Sequence, residues 1–101
     1  MDIYNFTFLA VPTQEAKEIA TAGGAYVECW IQSDDRDQAE ERATDLIYDY
    51  GWAVESLEAE AIVTRADYEE DGENRQFYEQ ALTEGEVLVF HTWPPGEEDE
   101  R

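Results

Sequence analysis

Cysteine is almost absent from this chain of 101 residues: Cys29 stands alone. A disulfide within the chain and any multi-cysteine metal site are thereby excluded. Positive charge is nearly as scarce. Six Lys and Arg face 26 Asp and Glu, Lys17 is the only lysine, and the formal charge is -20. Charge of that sign repels nucleic acid phosphates and anionic lipid, so neither nucleic acid nor membrane is expected as a direct partner. No apolar run is long enough to span a bilayer. The opening Met1-Asp2-Ile3-Tyr4-Asn5 lacks the basic and apolar regions of a secretory signal, and a cytoplasmic location is expected. One histidine, His91, leaves no His-rich zinc pattern. Phosphate-binding glycine loops, nucleophile elbows and basic aromatic patches are also missing.

What is present is enough apolar material for one core. The hydrophobic share is 43%, with 3 Trp, 6 Tyr and 4 Phe, which suffices to offset the entropy of ordering a chain of this size but not to fill two cores. We expect a single domain over 1–93, followed by an acidic, disordered tail over 94–101. The acidity itself has two readings. It solubilises the protein, as in a salt-rich host, or it forms a docking face for a basic protein.

Alternation and turn signals predict a strand over 3–11, ending at Pro12, and a second over 25–32. The latter places Ala25, Val27, Cys29 and Ile31 on one side and Tyr26, Glu28, Trp30 and Gln32 on the other. Between them, 13–22 reads as a short helix or an ordered loop. A helix is expected from about Asp34 to Tyr50, capped by Ser33 or Asp34. Ala39, Ala43, Leu46, Ile47 and Tyr50 would form its apolar face, and Gly51 its stop. In 52–64, Trp52 and Val54 share one parity and Leu57, Ala59, Ala61 and Val63 the other. That change requires a bulge in one bent strand or a hairpin, and the absence of turn residues favours the bent strand. A second helix follows at about Glu73 to Glu84, then an apolar strand, Val87 to His91, of the kind expected inside a sheet.

These elements predict an α+β fold: a two-layer domain with a mostly antiparallel four-stranded sheet and both main helices on one face. The order is ferredoxin-like, or a ββαβαβ variant of it. Val27, Cys29, Ile31, Ala43, Leu46, Ile47, Phe77, Ala81, Leu82, Val87 and Val89 are then expected in one core, and the strands' second apolar face would need covering. Tyr26, Trp30, Phe6, Phe8, Phe90, His91 and Trp93 are the candidate residues for that interface or pocket, with a homodimer the expected cover.

No catalytic residue, metal ligand or cofactor is assigned. A thiol and imidazole pair, Cys29 with His91, would need the two strands to bring them together. The loop from Asp67 to Glu73 resembles a calcium loop in its first acids and Gly72, but Tyr78 stands where a bidentate Glu is required. The leading functional expectation is a small acidic, non-catalytic protein-interaction or regulatory module, homodimeric and suited to a basic partner. The alternative is a small enzyme or ligand-binding protein whose aromatic-lined pocket, with Tyr26, Trp30 or His91 in its wall, lies on the second sheet face.

Overall fold

The computed structural model describes residues 1–13, 23–70 and 72–93. The expected segment 13–22, save Thr13, and the expected tail 94–101 lie outside the described residues. The described chain forms β1 (Asp2–Pro12), β2 (Gly24–Ser33), α1 (Arg36–Asp49), β3 (Trp52–Val63), a 3-10 turn (Arg65–Tyr68), α2 (Gly72–Glu84) and β4 (Glu86–Trp93). The four strands make one antiparallel sheet in the order β3-β1-β2-β4. This is a small α+β domain, and its strand order is not ferredoxin-like. β1 sits inside the sheet, paired with β2 on one side and β3 on the other.

Local chemistry sets the element ends. The side chain of Asp35 accepts from the backbone N–H groups of Asp37 and Gln38 at 2.8 and 3.0 Å, which caps α1 one residue after Asp34 and two after Ser33. The hydroxyl of Ser33 is used instead to fix Asp35, accepting from its N–H at 3.1 Å. Gly51 and Gly85, at φ 88° and 89°, take the left-handed conformation that ends each helix and turns the chain into the next strand.

β3 is one strand, and its register explains the parity change. Thr7 pairs with Ala59 but Phe8 with Leu57, and Leu9 pairs with Ser56 but Ala10 with Val54. Glu58 and Glu55 are the skipped residues, so β3 carries two bulges. Each bulge adds one residue and shifts the faces. Trp52, Val54 and Leu57 thus join one face, while Ala59, Ala61 and Val63 turn to the other.

The helices lie on opposite faces of the sheet, not on one. α1 spans from β2 to β3 and packs Ala39, Ala43 and Ile47 against Tyr4, Phe6, Phe8, Val27, Cys29 and Ile31. α2 carries the chain from the β3 edge to the β4 edge and packs Tyr78 and Ala81, with Phe77, against Ile3, Trp30 and Val87. The expected single core is therefore split. Val27, Cys29, Ile31, Ala43 and Ile47 belong to the α1 side, with Leu46 half-buried beside them; Phe77, Ala81, Val87 and Val89 belong to the α2 side. Leu82 points outward, 37% exposed. Strands that are apolar on both faces, such as β2, require cover on both, and one helix per face supplies it.

The same reason corrects the position of β4. Its apolar run Val87 to Phe90 was expected of an interior strand, yet it forms the edge of the sheet. An edge strand between two helices is partly covered on both faces and so reads as continuously apolar.

Candidate interaction site

The two sheet edges differ. β3 is an edge with two bulges, each placing a glutamate out of register, and both devices discourage pairing with another chain. β4 keeps an unbroken register with β2 from Gly24 against Trp93 to Ile31 against Glu86. Among the described residues, no strand pairs with its outer side.

The direction of its backbone groups follows from one hydrogen bond. Gln32 N–H donates to the Gly85 carbonyl at 2.9 Å, so in this register residues 87, 89 and 91 direct N–H and C=O toward β2. Glu86, Leu88, Phe90 and Thr92 direct theirs outward. Such a row of outward donors and acceptors is a template for one more strand.

Both helices overhang this row. A cleft of about 280 Å³ runs along the edge, lined by Leu46 of α1 and Tyr50 at its C-terminal cap, Phe77 and Gln80 of α2, and residues 86–89 of β4. Tyr50, placed on the apolar face of its helix by spacing, is 67% exposed and meets Phe90 edge-on at 5.6 Å, so it forms an outer wall rather than core. Trp52 supports Phe90 from behind at 5.8 Å. At the far end Arg42 donates Nε–H and Nη2–H to the two carboxylate oxygens of Glu86 at 3.0 and 3.1 Å. Gln80 donates to Glu84 at 2.5 Å on the opposite wall.

The seven residues expected to form one interface or pocket do not meet. Phe6, Phe8 and Phe90 face α1; Tyr26, Trp30, His91 and Trp93 face the other way. Phe6 and Phe8 are buried. Trp30 is buried too, packed on Phe77 at 5.3 Å and donating its indole N–H to the Tyr68 hydroxyl at 2.9 Å. It offers nothing to a partner. Trp93 folds back over Gly24, whose missing side chain makes room for the ring: a Cβ there would sit 2.3 Å from Trp93 Cζ2. Tyr26 packs against the same ring at 5.6 Å. None of the seven lines the β4 cleft itself; Phe90 touches its wall through Tyr50, and Trp30 through Phe77.

His91 is exposed and stands 4.0 Å from the Glu28 carboxylate. It cannot serve Cys29, which pairs with Leu88 and faces α1 on the opposite side of the sheet. Burial, with a smaller effect of the Glu28 charge, pushes the Cys29 thiol up to about 12, a core group and no nucleophile. In the acidic loop, Asp67 accepts from the N–H of Thr64 at 2.6 Å and from its hydroxyl at 3.2 Å, capping the 3-10 turn. Among the described residues no group of three or more His, Cys, Asp or Glu is placed to hold a metal ion. No described helix is long and apolar enough to cross a membrane.

No protein-family profile, curated protein or solved structure matches the chain. The sequence hides the cleft because its walls come from three separated segments; Tyr50 and the run Val87 to Phe90 are legible as apolar, but their meeting at an edge is not.

Proposed function

We infer that this protein is a non-catalytic protein-interaction module and that the open edge of β4 is the surface it presents. The observation that supports the reading is the contrast between the edges: β3 is bulged at two glutamates, whereas β4 runs in regular register between Leu46 and Tyr50 on one side and Phe77 and Gln80 on the other. An extended segment added there gains backbone hydrogen bonds and two apolar shoulders at once. The expected dimer through the aromatic sheet face gives way in this reading, because Trp30 lies under α2.

Selection of displayed random peptides on the full chain tests it. Binders should be enriched, and they should lose binding to a Thr92→Pro variant. That change removes an outward N–H from an exposed edge position and leaves the pairing with β2 in place. Binders indifferent to Thr92→Pro, or no enrichment, would contradict the reading.

A further inference from the structure

We propose that the β4 edge takes an extended segment with a short apolar centre flanked by lysine or arginine, supplied by a basic partner protein. This deepens the interaction reading and rests on it.

The apolar centre follows from the walls. A strand added antiparallel to β4 alternates its side chains between the two faces. Those on one face would lie beside Leu88 and Phe90 under Leu46 and Tyr50; those on the other would lie beside Val87 and Val89 under Phe77. Both directions are apolar, so a segment alternating apolar and charged residues would bury a charge at every second place. β-branched residues at successive positions fit both walls and favour the extended form.

The basic flanks follow from the rim. Asp45 and Asp49 stand exposed on α1, next in sequence to Leu46 and Tyr50, and Glu84 stands exposed at the end of α2, the helix that carries Gln80. Glu86 begins the strand itself. Arg42, beside Glu86, is already held by both of its carboxylate oxygens. The cleft thus combines apolar side chains from both sides with Gln80 and Glu86 in its lining and exposed acids on the bordering helices, inside a molecule of formal charge -20. A second copy fits poorly. Pairing two β4 edges would bring together two molecules that each carry a formal charge of -20, with exposed acids on the helices beside the edge.

The test uses the full chain, labelled for amide NMR, and three capped peptides about as long as β4. One has central valines, isoleucines and threonines with a pair of lysines at each end. The second has glutamates in place of the lysines, and the third carries the lysines with prolines at alternate central positions. The lysine-flanked peptide should slow exchange of the Glu86, Leu88 and Phe90 amides, and its affinity should fall by about tenfold or more between low salt and about 0.5 M salt. The glutamate-flanked peptide should bind about tenfold more weakly or worse, and the proline peptide should not protect these amides. Equal binding of the lysine and glutamate peptides would overturn the charge assignment while leaving the edge reading intact. If the same amides were already protected in the free chain, the occupant would be the protein itself. A sedimenting dimer would then identify a second copy and a monomer an intramolecular segment, and either overturns the proposal. No protection by any peptide in an open-edged monomer would overturn the proposal and the interaction reading together.

Discussion

The indole N–H of Trp30 donates to the hydroxyl of Tyr68 at 2.9 Å, joining the middle of β2 to the 3-10 turn that precedes α2. Both residues are buried, and this bond lets the largest fully buried side chain enter a core without an unpaired polar atom. Tyr68→Phe leaves that indole N–H without its acceptor and should cost about 1–3 kcal/mol in urea unfolding. Unchanged stability would mean that the turn does not anchor α2.

The split core makes a second prediction. Ile47 is fully buried under α1, so Ile47→Ala should cost about 2–5 kcal/mol. Leu46 is half-buried at the cleft, and Leu82 is 37% exposed, so alanine at either should cost clearly less. Equal losses at Ile47 and Leu82 would restore the single core expected from periodicity.

Where a residue's environment is set by its own neighbours in sequence, the reading succeeded. The helix over α1, its buried Ala39, Ala43 and Ile47, the bent strand β3 and the glycine stops at 51 and 85 all follow from local spacing and turn chemistry. It failed where distant segments decide. Periodicity groups Val27 with Phe77 because each lies on an apolar stripe, but only the topology says that their helices take opposite faces. Trp30 and Phe8 both looked like interface residues for the same reason: an apolar side chain carries no record of which helix covers it.

A third prediction concerns Cys29. Its thiol is raised from about 9 to about 12, first by burial and then by the Glu28 charge. Between those values the unfolded chain gives up a proton that the folded chain keeps, so this group favours unfolding as pH rises through that window. The fall in stability above about pH 9 should be less steep in Cys29→Ala than in the parent. At neutral pH a thiol reagent should label Cys29 only as fast as the fold opens; rapid labelling of the native chain would contradict its place beneath α1.

Salt supplies a fourth. Arg36 is held by Glu60, Glu40 and Asp37, and its hydrogen bond lowers the Glu60 carboxyl below the usual carboxylate range. These exposed contacts weaken as ions screen them, but they are few beside a formal charge of -20. Repulsion among the acids should therefore dominate, and the melting temperature should rise as sodium chloride increases. A melting temperature that falls with salt would show that the ion pairs outweigh the repulsion.

The account depends most on β4 being an open edge, and amide hydrogen exchange of the free chain measures this directly. Val87, Val89 and His91, whose N–H groups turn toward β2, should exchange slowly, whereas Glu86, Leu88 and Phe90 should exchange far faster despite alternating with them along one strand. Protection of Leu88 and Phe90 equal to that of Val87 and Val89 would mean that the edge is already filled, and would contradict the account.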